Sequence, residues 1–258
     1  MRILFVADVV GHPGRDAVKA LLPGLKKELH PHLTIVNGEN SAGGFGLTAK
    51  IAAELKGAGA DVITTGNHVY AQKEFLPELP SLERVLRPAN YPPRAPGQGW
   101  CLIDAGGRNV LVMNLMGRIF LEALDDPFRA ADAILAAHPD TRIVFCDMHA
   151  EATSEKTAMG WFLDGRASAV VGTHTHIPTA DARVLPGGTA YVTDVGMVGP
   201  RDSCIGMDKD IVLQRFLTGV PNRFVVASGP VTFNSVLVTI NGSTGRATSI
   251  QRVDREHV

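Results

Sequence analysis

The chain is short of cysteine, has no long apolar run and carries no surplus of either charge. Each shortage removes a class of protein. Only three cysteines occur in 258 residues, Cys101, Cys146 and Cys204, and none stands in a Cys-x-x-Cys spacing. So sparse and odd a set excludes a disulfide framework and reads as reduced thiols, which points to the cytoplasm. Cys146 lies inside an apolar run and reads as core. No apolar stretch approaches the ~20 residues that a membrane-spanning helix needs. The run after Arg2 meets Asp8 too soon to be a signal peptide. Lys and Arg total 25 against 26 Asp and Glu, a net charge of -1. That balance speaks against membrane association and against strong non-specific nucleic-acid binding, though a nucleotide-sized ligand in a local site fits it. No repeat, low-complexity tract or linker divides the chain, so residues 1–258 read as a single domain with a large core. The composition suits a monomer and a homo-oligomer equally.

The first half alternates apolar runs with amphipathic segments. Helices are expected from about Arg15 to Leu29, Thr48 to Gly57 and Gln72 to Leu79, with another from Pro127 to Ala137. This βα alternation predicts a largely parallel sheet with helices outside it. A Pro-rich loop follows around Pro88 to Pro96. Two hairpin-like runs come next, Trp100 to Ala105 and Asn109 to Leu115, turning at Gly106-Gly107. Beyond His176 the chain turns β-rich, with strands expected at Ala182–Leu185, Thr189–Thr193, Arg223–Ala227 and Val231–Ile240 around a helix near Lys209–Leu217. This part suggests a second sheet packed on the first. Trp161 and Phe162 are expected on the core face of a helix.

The chemistry concentrates where apolar runs end. Gly172-Thr173-His174-Thr175-His176 follows Ser168-Ala169-Val170-Val171, and residues two apart at a strand end point the same way. Two neutral imidazoles facing one point suit a first-row metal. Four further runs end alike: Asp8 after Ile3–Ala7, Gly38-Glu39-Asn40 after Leu33–Val36, Gly66-Asn67-His68 after Val62–Thr65, and Asp147-Met148-His149 after Ile143–Cys146. Each cluster alone reads as a turn or helix cap. Five strand ends bearing ligand-type residues together read as one shared metal site, because functional groups of α/β sheets gather outside the carboxyl ends of the strands.

Two neighbouring cations can clamp a phosphoryl group and generate hydroxide at neutral pH, and they need one ligand that touches both. Glu39 is the candidate bridge. Asp8 adds a second negative charge, His149, His174 and His176 add neutral nitrogens, and Asn40 and Asn67 add amide oxygens. Two dications less two carboxylates leave a positive site that favours an anionic phosphate ester. His68 reads either as a spectator beside Asn67 or as the general acid that protonates the leaving alkoxide. The acid is preferred, since a poor leaving group needs a proton. The glycines of Gly43-Gly44-Phe45-Gly46 read as a strand-to-helix turn rather than a phosphate cradle. Asp147, Asp181 and Asp194 read as partners that orient imidazoles or as caps.

An Asp near the first strand end, an acid after the second strand, Gly-Asn-His after the third, a lone His and then Gly-x-His-x-His resemble the calcineurin-like metallophosphoesterases. Three positions depart from that pattern. Asp8-Val9-Val10 stands for Asp-x-His, Gly38-Glu39-Asn40 for Gly-Asp, and Val69 for the acid after Gly-Asn-His. With Asn40 to Gly46, His149 to Lys156 and Gly172 to Asp181, these variants resemble the YmdB-like 2',3'-cyclic-nucleotide 2'-phosphodiesterase family along nearly the whole chain. The resemblance implies a four-layer α-β-β-α sandwich of two mixed sheets flanked by helices. It implies two iron ions, with Mn²⁺ or another divalent metal as a substitute, and phosphodiesterase and phosphatase activity on small phosphodiesters or cyclic nucleotides. It places Asp8, Asn40 and His176 on one metal and Asn67, His149 and His174 on the other, with Glu39 bridging and His68 as proton donor. Two other readings compete. Amidohydrolases carry His-x-His early and on eight βα repeats, which this chain lacks. A metal-stabilised nucleotide-binding regulator with little turnover would not need His68.

Overall fold

Most of the apolar runs become strands and the amphipathic segments become helices. The computed structural model describes residues 1–258. In chain order the elements are β1 (Arg2–Val6), β2 (Asp8–Val9), α1 (Gly11–Leu29), β3 (Leu33–Asn37), α2 (Ala49–Gly57), β4 (Val62–Thr64), α3 (Phe75–Glu78), β5 (Trp100–Asp104) and β6 (Asn109–Met116). There follow α4 (Pro127–Ala137), β7 (Ile143–His149), α5 (Thr153–Phe162), β8 (Ala169–Thr173), β9 (Arg183–Val184), β10 (Ala190–Val192) and β11 (Met197–Pro200). The last are α6 (Lys209–Thr218), β12 (Val231–Phe233), β13 (Ser235–Ile240), β14 (Ala247–Arg252) and β15 (Arg255–His257).

Two mixed sheets form the centre, in the orders β14-β13-β1-β3-β4 and β5-β6-β7-β8-β10-β9. The inner strands are parallel: β1 with β3, β3 with β4, and β6, β7, β8 and β10 in succession. Alternate side chains of each strand serve opposite faces. Ile3, Phe5, Ile35 and Val62 of the first sheet meet Val110, Val112, Phe145 and Val171 of the second in one buried cluster. Leu4, Val6, Val36 and Ile63 point the other way and pack on Val18 and Leu22 of α1 and Leu55 of α2. Leu111, Val144 and Val170 likewise cover Ala131 and Ile134 of α4 and Met159 of α5. The layers are therefore α-β-β-α, the architecture the resemblance implies.

A small third sheet, β15-β12-β11-β2, joins the first at a corner. The chain leaves β1 through Ala7, whose N–H donates to the Asn234 carbonyl at 3.1 Å, and enters β2 at Asp8. Asn234 divides the expected Val231–Ile240 strand at the same place, so β12 serves the small sheet and β13 the first. Its side-chain Oδ1 accepts the Met197 N–H at 3.2 Å, which ties β11 into the corner. Asp8 owes its position to this change of sheet.

Further expectations need correction. The strands beyond His176 do not make the second sheet but are shared among all three, and β5 to β8 supply most of the second. Arg223–Ala227 forms no strand, and only Val226 bridges to Met207, because no sheet edge lies alongside the rest. Gln72–Leu79 shortens to α3 plus a single 3₁₀ turn at Leu79–Ser81. Trp161 is exposed near the end of α5 with the Arg183 guanidinium over its ring, whereas Phe162 packs against the core as expected, edge-on to Phe128 at 5.2 Å. The buried residues of that helix are Lys156, Met159 and Gly160.

Phe5 and Phe145 stack across the seam between the sheets at 5.6 Å. Truncation there leaves a cavity that the two sheets cannot close. Phe145→Ala is expected to cost ~3–5 kcal/mol of stability. Equilibrium urea unfolding measures this, and a loss under about 1 kcal/mol would mean that the seam repacks around the cavity.

Candidate metal centre

Every residue singled out as a candidate ligand lies on one rim of the two sheets. Asp8 follows β1, Glu39 and Asn40 follow β3, Asn67 follows β4, His149 closes β7, and His174 and His176 follow β8. All are carboxyl ends of parallel strands, where the sheet leaves its last groups free.

Four atoms converge. His149 Nε2 lies 3.0 Å from Asn67 Oδ1, 3.1 Å from Glu39 Oε1 and 3.1 Å from His174 Nδ1. The hydrogen-bond partners of the imidazoles fix their tautomers. The Thr173 hydroxyl donates to Asp147 Oδ1 at 2.7 Å, so its oxygen accepts from His149 Nδ1 at 2.9 Å and leaves the Nε2 lone pair facing the cluster. His174 Nε2 stands 3.0 Å from Glu151 Oε2, which turns Nδ1 inward. His176 Nδ1 donates to the Ile205 carbonyl at 2.8 Å and frees its Nε2. Lone pairs pointing at one another are held together by a proton or a cation.

The oxygens show the same need. Asp8 Oδ1, Glu39 Oε1 and Asn40 Oδ1 are buried and accept no hydrogen bond. Asn40 donates through Nδ2 to the Gly44 carbonyl at 3.0 Å, so its oxygen is the free atom. Val10, where a histidine would stand in the wider superfamily pattern, is fully buried and packs by Gly206 and Gly199. Buried carboxylate, amide and imidazole acceptors without partners are the donor set of a transition-metal site. Ligand atoms of Glu39, His149 and His174 all lie within 4.8 Å of one another, inside one ion's reach. Gly66 is part of this packing, since a Cβ there would collide with His149 Nε2 and Glu39 Oε2.

His68 is half-buried, edge-on to Phe45 at 4.9 Å, and makes no ion pair. Its backbone N–H donates to Glu39 Oε2 at 3.2 Å and its Nε2 lies 3.4 Å from the Asn67 amide nitrogen. Its Nδ1 has no protein partner. His68, His174, His176, Glu39 and Asn40 share one cleft of about 330 Å³.

His174 and His176 reach this rim by a route the sequence did not suggest. Both lie beyond the end of β8, in left-handed backbone at φ 96° and 62°, so loop geometry and not strand alternation aims them. A buried ion pair holds the loop. Lys156 Nζ of α5 reaches Asp194 Oδ2 at 2.6 Å, and the same oxygen accepts the Thr175 N–H at 3.2 Å and hydroxyl at 2.6 Å. Lys156 and Glu151 were missed. Glu151 stands two residues after His149, which was the available signal, whereas a lysine in a helix gives none. The three aspartates differ in role. Asp147 orients His149 through Thr173, Asp194 holds the loop through Thr175, and Asp181 binds the hydroxyls of Thr179 and Thr193 with no contact to an imidazole. The run Gly43, Gly44 and Gly46 has φ 66°, 98° and 85°, the turn expected.

Similarity to other proteins runs along the whole chain. The YmdB-like protein family matches residues 4–253. A 2',3'-cyclic-nucleotide 2'-phosphodiesterase of Bacillus subtilis strain 168 is 53% identical, with 98% of this chain and 96% of that protein aligned. The crystal structure of a hypothetical protein from Thermus thermophilus superposes with a TM-score of 0.95 at 45% identity over 100% of both chains. That of a novel phosphatase from Mycoplasma pneumoniae superposes with a TM-score of 0.94 at 33% identity, over 99% of this chain and 93% of the other.

Without metal, a proton takes the cation's place. Burial works against charge on His149, but Glu39, Asp8 and Asp147 outweigh it and raise its pKa to about 9. Burial likewise opposes charge on Glu39, yet His149 beside it draws that carboxyl down to about 2. Burial, then the His149 charge, lowers His174 to about 3, and burial lowers His176, so neither changes charge above pH 6.5. The His149 contribution is complete below the ordinary histidine value of 6.5 and is lost as pH rises through 9. The Glu39 contribution is present above 4.5 and lost as pH falls through about 2. The melting temperature of metal-stripped protein should therefore fall between pH 6.5 and 9, and the fall should vanish in His149→Gln. A level profile in that window, or an equal fall in the variant, would remove His149 as the proton's holder.

Proposed function

The chain belongs to the YmdB-like protein family, and from that premise we propose that it is a metal-dependent phosphodiesterase that opens 2',3'-cyclic nucleotides to 3'-nucleotides. Phosphatase activity is a side reaction of the same site. The relative from Bacillus subtilis bears the name of that activity. The observation that carries the reading is the set of buried, unpartnered acceptors, Asp8 Oδ1, Glu39 Oε1 and Asn40 Oδ1, around an imidazole pair whose lone pairs face each other.

In this reading Asn67, His149 and His174 would hold one cation and Asp8, Asn40 and His176 a second, with Glu39 as the carboxylate that would serve both. Imidazole, carboxylate and amide oxygen without thiolate suit iron or manganese, and the proposed native pair is iron. Bound there, such a pair would supply positive charge for the phosphoryl oxygens and lower the pKa of the attacking water. The remaining work belongs to the chain. Asp147 and Thr173 keep the His149 ring in one tautomer, and Lys156 and Asp194 keep the His174–His176 loop in place. The P–O2' bond breaks as water adds to phosphorus, and the departing 2'-alkoxide needs a proton. His68, which lines the cleft, is the group placed to supply it, passing from imidazolium to neutral imidazole as it does so. The proposal takes residues 1–258 as one domain acting in the cytoplasm, with no membrane-spanning helix in the chain.

The experiment is turnover of 2',3'-cyclic AMP and bis-p-nitrophenyl phosphate by protein of measured metal content. Two iron equivalents per chain and hydrolysis of both are expected. His68→Ala should lower kcat on the cyclic nucleotide by about 10²–10⁴-fold with metal content retained. Its effect on the nitrophenyl ester should be smaller, because a phenolate leaves without a proton. Fully loaded protein that hydrolyses neither substrate would replace an enzyme with a regulator. Equal losses on the two substrates would make His68 a binding group.

A further inference from the structure

The cleft that holds His68, His174 and His176 is much larger than the metal-facing residues require, and its far wall is apolar. Beside Glu151, Thr175 and Cys204, the rest of its ~330 Å³ is lined by Phe45, Ile205, Met207, Val212, Phe216 and Phe224, and that volume lies within the ~300–1,000 Å³ typical of small-molecule sites. Polar groups in that part are scarce. The Ile205 carbonyl is taken by His176 and the Thr175 side chain by Asp194.

The helix forming this wall contributes little to the core. α6 buries one of its ten residues, Val212, and is held at its ends by the Asp208 cap and by Gly219 in left-handed backbone. Val212 and Phe216 stand one turn apart, on one face, and both line the cleft. Phe216 is 81% exposed, so its ring contributes almost nothing to the core. The Phe224 ring is fixed from one side by the Arg215 guanidinium at 5.0 Å. Flat apolar rings exposed beside a phosphoryl site, with few polar groups among them, are suited to π-faces and not to hydrogen-bonding edges.

We infer that this wall is the nucleobase subsite. The base of the substrate stacks on Phe216 and Phe224 while its phosphate reaches the His68 end of the same cleft. Base identity is read by ring area and not by edge hydrogen bonds, so the enzyme takes all four nucleosides and favours purines. This rests on the phosphodiesterase reading above, and the test separates the two.

Phe216→Ala and Phe224→Ala are compared with the unaltered, metal-loaded protein on 2',3'-cyclic AMP and on methyl riboside 2',3'-cyclic phosphate, which lacks a base. The ratio of kcat/KM for the first to the second should fall about 10- to 100-fold in each variant, mainly through KM. In parallel, calorimetry measures binding of 3'-AMP and of ribose 3-phosphate, which needs no turnover. The 3'-AMP preference should shrink by a similar factor. Ratios within about twofold of the unaltered protein in both assays would overturn the subsite. Protein inactive on both cyclic esters that still loses its 3'-AMP preference in the variants would keep the subsite and sink the phosphodiesterase reading.

Discussion

Asp8 and Glu39 are withdrawn from water altogether. A buried carboxylate costs several kcal/mol unless charge and hydrogen bonds offset it. For Glu39 the neighbouring imidazoles do so, and for Asp8 the neighbouring groups do so only in part. Burial holds the Asp8 carboxyl well above the usual carboxylate range, with His149 the chief opposing influence. The neighbourhood can be understood from that deficit. His149 carries the proton the carboxylates lack, Asp147 and Thr173 direct which nitrogen carries it, and the His174 ring turns a lone pair inward. Such a cluster is poor as a folding device and well suited to a cation, which removes the cost and releases the proton.

The rim of the sheets was legible because each inner strand announces itself twice. It is apolar on both faces, and it stops at a residue that cannot be buried alone. Asp8, Glu39, Asn67, His149 and His174 were found this way. Features created by long-range geometry left no such mark. β14 reads Ala-Thr-Ser-Ile-Gln-Arg, too polar for a buried strand, and is an edge strand fixed by its pairing with β13. The break at Asn234 reflects two sheets meeting, which no local pattern records. Phe224, Val225 and Val226 have the composition of a strand, yet they line clefts and pair with no sheet edge. The left-handed backbone at His174 and His176 also lies outside anything that alternation can foresee.

Lys156 illustrates a dependence between layers. Its helix packs on the outer face of the second sheet, and its ammonium passes inward to Asp194, which grips Thr175 between the two loop histidines. Gly172 leaves the room this crossing needs, since a Cβ there would meet both the Thr193 carbonyl and the lysine side chain. The outer helix layer is thereby tied to the loop that carries His174 and His176. Left-handed backbone at two non-glycine residues costs of order 1–3 kcal/mol each, and the buried ion pair is the contact best placed to maintain it.

The corner at Ala7 and Asn234 bears on when the centre can exist during biosynthesis. β1 lies between β3 and β13, and β2 pairs with β11, so the segment carrying Asp8 is bounded by partners near both ends of the chain. A ribosome delivers Asp8 among the first residues and Ser235–Ile240 among the last. The central strand of the first sheet remains open on one side until translation is nearly complete, with the slow search that distant pairings impose. The candidate centre is accordingly completed late, and a chain truncated before β13 leaves the apolar edge of β1 unpaired.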